Sequence, residues 1–142
     1  MPRSRHSWES IRADERPVAP FSHHAPNALA LAYANSYHVG MSSLAFQRIY
    51  ELVHATPGWT CHRFFADGSG EPLSVEDDSP LSAFGALAFS ISFEEDYLNF
   101  VQMLERSRIP LRRHTRGVHD PLIVVGGSCA MINPLPLAEF VD

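Results

Sequence analysis

The chain has 142 residues, 45% apolar and 19% charged, with a formal charge of −5. That is one domain's worth of core-forming sequence, which excludes a disordered chain and a general electrostatic pull toward nucleic acid or an anionic membrane. All 11 basic residues are arginine, so neither a P-loop lysine nor a Schiff-base lysine is available.

In chain order, residues 1–27 mix Arg3, Arg5, Arg12, Arg16, prolines and His23-His24 without periodicity. They read as a partly ordered lead-in, with a helical turn near Trp8 that docks on the rest. No apolar stretch marks a signal peptide, and no run reaches the ~18 apolar residues of a membrane span. Cys61 and Cys129 stand far apart, match no zinc spacing and suit a reducing, cytoplasmic compartment.

The domain proper is expected over 28–142. Residues 28–34 form an apolar run that reads as a buried strand. After it comes the polar turn Asn35-Ser36-Tyr37-His38-Val39-Gly40. A helix over about 42–54 follows, capped by Ser42 or Ser43, with Phe46, Ile49, Tyr50 and Val53 on one face. Pro57-Gly58 ends it, and a second strand spans about 59–65. Residues 66–82 read as a solvated loop around Glu76-Asp77-Asp78.

A third strand runs from Ala86 to Ser92. The next helix, about 96–107, has Tyr97, Phe100, Val101 and Leu104 on one face. Glu94, Glu95 and Asp96 sit at its positive end, where the dipole favours acids. The five arginines from Arg106 to Arg116 read as a solvated basic surface. A fourth strand, 121–125, stops at Gly126-Gly127. A last helix begins at Asn133-Pro134, as N-cap and N1, and buries Leu137, Phe140 and Val141.

Strands alternating with helices, each central strand an apolar run, specify an α/β, doubly wound parallel sheet of flavodoxin-like or Rossmann-like type, in the order 2-1-3-4. The fourth strand would be an open edge, and the pattern expects a further strand, as in the truncated front piece of a longer protein. In such sheets ligands bind outside the carboxyl ends of the strands. That makes the turn after the first strand, Ser90 and Ser92 after the third, and Gly126-Gly127 after the fourth the candidate site.

Three blocks carry a resemblance: 34–44 (Ala-Asn-Ser-Tyr-His-Val-Gly-Met-Ser-Ser-Leu), 88–97 (Ala-Phe-Ser-Ile-Ser-Phe-Glu-Glu-Asp-Tyr), and Val125-Gly126-Gly127 with Asn133-Pro134-Leu135-Pro136-Leu137. Together they resemble the N-terminal cobalamin-binding-like domain of B12-binding radical SAM proteins. The resemblance implies a corrinoid cofactor, cobalamin, lined by Asn35, Tyr37, His38, Gly40, Ser90, Ser92, Gly126 and Gly127. Many such domains carry Asp-x-His-x-x-Gly, whose histidine binds cobalt. With glycine aligned on Gly40, Asn35 takes the aspartate position and Tyr37 the histidine position, so base-off binding without a protein ligand is what remains.

The resemblance also implies a partner, a radical SAM barrel in cis or from an adjacent gene. S-adenosylmethionine and the [4Fe-4S] cluster belong there, because this chain has no Cys-x3-Cys-x2-Cys motif. No catalytic residue or metal ligand is assigned within the chain, and neither nucleic acid nor membrane is an expected partner. The alternative reading is a docking module of the same fold that binds no cofactor. A weaker one is a small-molecule or phosphate site in the same crevice.

Overall fold

The computed structural model describes residues 8–17 and 21–142. Four strands, β1 (Asn27–Tyr33), β2 (Trp59–Phe65), β3 (Ala86–Ser90) and β4 (Leu122–Gly126), form one sheet in the order β2-β1-β3-β4. Every pairing is parallel, as the doubly wound reading requires.

The helices are α1 (Glu9–Asp14), α2 (Tyr37–Met41), α3 (Leu44–Ala55), α4 (Asp96–Arg106) and α5 (Ser128–Ile132). Successive strand residues point to opposite faces, so the sheet builds two cores. On one face Leu31, Tyr33, Cys61 and Phe65 pack with Phe46 of α3, Val75 and Trp8. On the other, Ala30, Ala32, Phe64, Leu87 and Phe89 pack with Phe100, Met103 and Leu104 of α4. Small alanines in β1 leave room for Phe100, which meets Phe89 edge-on with ring centres 4.8 Å apart. Each such large side chain contributes about 1.5–3 kcal/mol on burial.

Several expectations need correction. The helix expected over 42–54 is α3, but the segment before it, read as a turn, holds a short helix of its own, α2. Ser36 caps α2 by accepting from Val39 N, and Ser43 caps α3 by accepting from Phe46 N. Tyr37, His38 and Gly40 are therefore helical, with Ser42 ending α2 and Ser43 starting α3. The third strand ends at Ser90, because the Asp96 carboxylate accepts from Ser92 N and Phe93 N and turns the chain. The last helix is displaced: α5 begins directly after Gly127, and 135–137 form one 3-10 turn, with Asn133 accepting from Leu135 N.

The 66–82 segment is no solvated loop. Leu73 bridges Pro80, Val75 N donates to Arg63 O, and the Glu76 side chain is 1% exposed. It covers the free edge of β2. The arginine run is not uniformly solvated either: the Arg116 side chain is buried and donates to Pro110 O, Leu111 O, Phe140 O and Asp142. In the lead-in, Trp8 is buried and begins α1, as expected; Arg3 and Arg5 lie outside the described residues.

Candidate functional site

Strand β1 has β2 on one side and β3 on the other, so the winding reverses there. The crevice outside the carboxyl ends of β1 and β3 is the place where a sheet of this kind takes a ligand. Ser90 pairs in register with Tyr33 on one side and Gly126 on the other, which brings all three strand ends level.

The turns leaving these ends are bonded to one another. Asn35 Nδ2 donates to Asp96 Oδ1 at 2.8 Å, joining the turn after β1 to the N-terminus of α4. The other Asp96 oxygen accepts from Ser92 N and Phe93 N. Asn99 Nδ2 donates to Ala34 O at 2.9 Å. From the β4 side, Ser128 Oγ and Cys129 Sγ both donate to Ser92 O. Asp96 is fully buried, and its charge is met by three donors and no cation, an arrangement that holds a carboxylate by hydrogen bonds alone.

Tyr37, His38 and Gly40 face elsewhere. Tyr37 N donates to Asp67 at 2.7 Å and its hydroxyl to Glu15 at 2.6 Å, while its ring packs on Trp8 and Phe65. Burial and the Glu15 hydrogen bond push the Tyr37 phenol well up, so it stays protonated as a donor. His38 is exposed beside Tyr37. Gly40 is buried where a Cβ would lie 2.4 Å from the Phe65 ring. Tyr37 and Gly40 join the β1 turn to the β2 edge.

That edge holds a group no sequence motif marked. The Arg63 side chain is buried between two carboxylates: Glu76 at 2.6 Å from Nε, and Glu15 at 2.7 Å from Nη1 and Nη2. Burial pushes the Glu15 carboxyl up, but Arg63 and the Tyr37 hydroxyl outweigh it, and the group ends below its ordinary range. The Arg63 guanidinium also lies over the Tyr50 ring, 4.8 Å from its centre. A cavity of about 690 Å³ opens here, lined by Glu15, Phe21, His23, Tyr37, Tyr50 and Arg63 among others. Only the mixed composition of strand β2, with His62 and Arg63 among aromatics, hinted at a buried charge.

The two sets of residues decide how a corrinoid would fit. Gly40 has its Cβ space filled by Phe65 and Tyr33. At Gly127, with φ at 108°, a Cβ would lie 2.3 Å from Ile91 O. Tyr37, at the cobalt-ligand position, turns its hydroxyl to Glu15. Asn35 reaches across to Asp96. Only Gly126 has open space above it. As placed, Asn35, Tyr37, Gly40 and Gly127 are engaged with other parts of the chain. Among the described residues no group of three or more His, Cys, Asp or Glu side chains is arranged to hold a metal ion. No described helix is long and apolar enough to cross a membrane.

Around the bonded turns several large apolar side chains are exposed, beside Glu94 and Glu95. Phe93, after Ser92, is 54% exposed; Met131 and Ile132 of α5 are 85% and 83% exposed. Leu135 is exposed in the following turn, which Tyr97 of α4 steadies through its hydroxyl to Asn133 O. An exposed apolar group of this kind marks an interaction site more often than a scattered single side chain does.

Comparison with known proteins adds the following. The family described as "Radical SAM proteins, N-terminal" matches residues 45–142. An uncharacterized protein of Methanocaldococcus jannaschii is 26% identical over 114 residues, which cover 80% of this chain and 22% of that relative. The chain thus spans about a fifth of the length of the relative it matches. No solved structure matches it.

Proposed function

The chain belongs to the family of N-terminal regions of radical SAM proteins, and from that premise we propose that it is a docking module which seats the catalytic radical SAM region on the carboxyl-end rim of its sheet. The observation that carries this reading is the pairing of bonded turns with exposed Phe93, Met131 and Ile132 above them. A rim held by Asp96 and Ser92 pre-organises the backbone that carries these apolar side chains, which lowers the ordering cost of association. The partner is the radical SAM region, in cis or as a separate polypeptide. Radical chemistry resides there.

The test is co-purification of the chain with a radical SAM region supplied as a separate polypeptide. Met131→Asp together with Ile132→Asp abolishes association and leaves the chain's own melting unchanged. Undiminished association of the double variant overturns the proposal.

A second reading keeps cobalamin, held base-off without a protein ligand. Its support is the open space above Gly126 and the convergence of three strand ends beside it.

A further inference from the structure

The molecule has a second feature, independent of the rim and of the radical SAM partner. Residues 21–24 lie across the β2 edge and the end of α3. Phe21 stacks on His54 with ring centres 4.4 Å apart and meets Tyr50 edge-on at 5.5 Å. Ser22 O accepts from Thr60 Oγ1 at 2.9 Å. The His23 ring stands between His54 and His62, 5.9 Å from each. It walls both the 690 Å³ cavity and a second one, of about 470 Å³, lined by His24, Thr60, His62 and Asp77.

Two ring nitrogens here, His23 Nδ1 and His54 Nε2, are buried without a hydrogen-bond partner among the described residues. A neutral imidazole nitrogen without a partner is tolerable when its lone pair faces apolar rings; a protonated one is not. The anions close by are already engaged. Glu76 is bonded to Arg63 N and Nε, and Asp77 Oδ1 to Ser74 Oγ and Ser79 N. Glu15 is held by Arg63 and Tyr37. Arg12, Arg16, Arg63 and Glu51 complete the charges on the first cavity, and His24, His62 and Asp77 those on the second.

We propose that residues 21–24 are an acid-released latch: protonation of His23 and His54 drives the segment off the β2 edge and opens the cavity over Arg63 and Tyr50. The two imidazoles are 5.9 Å apart, so charging both adds repulsion to the cost of burying each charge. Burial, and for His54 the neighbouring His23, lowers the proton affinity of both rings below the ordinary histidine value. Docked, they bind fewer protons than they do released. The latch is therefore closed above the ordinary imidazole pKa of about 6.5 and loosens as pH falls below it.

NMR of the whole chain at pH 7.5 and 5.5 tests this through the ring contact of Phe21 with Tyr50. That contact is lost as pH falls to 5.5, the open-to-docked ratio rising by up to about tenfold for each histidine, the limit one unit below the ordinary imidazole pKa of about 6.5, while the β1 and β3 amides keep their exchange protection. In His23→Gln and His54→Gln, neutral at both pH values, the Phe21–Tyr50 contact persists at pH 5.5. Its full persistence in the natural chain at pH 5.5 overturns the proposal, as does joint loss of protection across β1 and β3, or equal opening of the glutamine variants. Should the variants fail to dock at pH 7.5, imidazole NMR titration of the natural chain decides. Release that follows His23 and His54 protonation supports the latch, and release while both stay neutral overturns it.

Discussion

The carboxyl-end crevice and the β2 edge both bury charge, by opposite means. At the crevice a lone carboxylate, Asp96, is satisfied by one side-chain amide and two backbone N–H groups. At the edge a guanidinium, Arg63, is held by two carboxylates from segments 48 and 13 residues away. The first arrangement ties neighbouring turns into a rigid rim. The second joins the lead-in, the β2 edge and the loop over it, so it depends on pieces that can leave. Rigidity sits where a partner is proposed to dock, and detachability where the latch is proposed.

Removing the cation breaks the comparison most sharply. Arg63→Met takes the only cation from Glu15 and Glu76, leaving Glu15 the Tyr37 hydroxyl and Glu76 a backbone N–H, and costs about 3–5 kcal/mol, read by urea unfolding. The lead-in loses hydrogen-exchange protection while the rim keeps it. Asp96→Ala removes three hydrogen bonds to a charged acceptor and costs about 2–3 kcal/mol. Its effect is the mirror image, with loss of protection at 91–97 and none in the lead-in. A uniform loss in both variants would mean that the two regions are one unit.

Gly40→Ala forces a methyl group toward Phe65 and costs about 2 kcal/mol in thermal melts. A neutral outcome would show that Phe65 moves freely, and that the helical turn is less tightly packed than its contacts indicate. Tyr37→Phe removes the single bond to Glu15 and costs about 1 kcal/mol, with the larger change in lead-in exchange.

Acid gives the smallest and most graded effect. Glu15 and Asp77 both bind protons less readily folded than unfolded. For Asp77, burial is outweighed by the Ser74 and Ser79 hydrogen bonds, and its carboxyl is held down to about 2. Their stabilisation is complete above the ordinary carboxylate range near about 4 and is lost as pH falls below it, for Asp77 toward about 2. In Glu15→Gln the acid slope of a stability profile is shallower. An unchanged slope would remove Glu15 from the edge network.

Much of the fold was legible because it rests on period and run length. The apolar runs at 28–34 and 86–90 and the helical spacing from Phe46 to Val53 gave strand order and parallelism. The docking of Trp8 was legible as an indole too large to leave in water. The side-chain networks were not. Arg63, Glu15 and Glu76 lie in three separate segments, and nothing local tells a buried Glu76 from its exposed neighbour Asp78. Asp96 reads from sequence as an acid at a helix start, which it is. That it also grips Asn35, 61 residues away, is a tertiary fact. Tyr37 and Gly40 were singled out for a ligand because a strand-to-helix turn often serves one; here their contacts are aromatic packing.

The central claim is that the carboxyl-end rim is a closed docking surface. Hydroxocobalamin titration of the purified chain, followed in the visible spectrum and by equilibrium dialysis, tests it most directly. A closed rim gives no spectral shift and no saturable uptake at micromolar concentrations. Stoichiometric uptake with a shifted spectrum, lost in a variant that fills the space above Gly126, would contradict it.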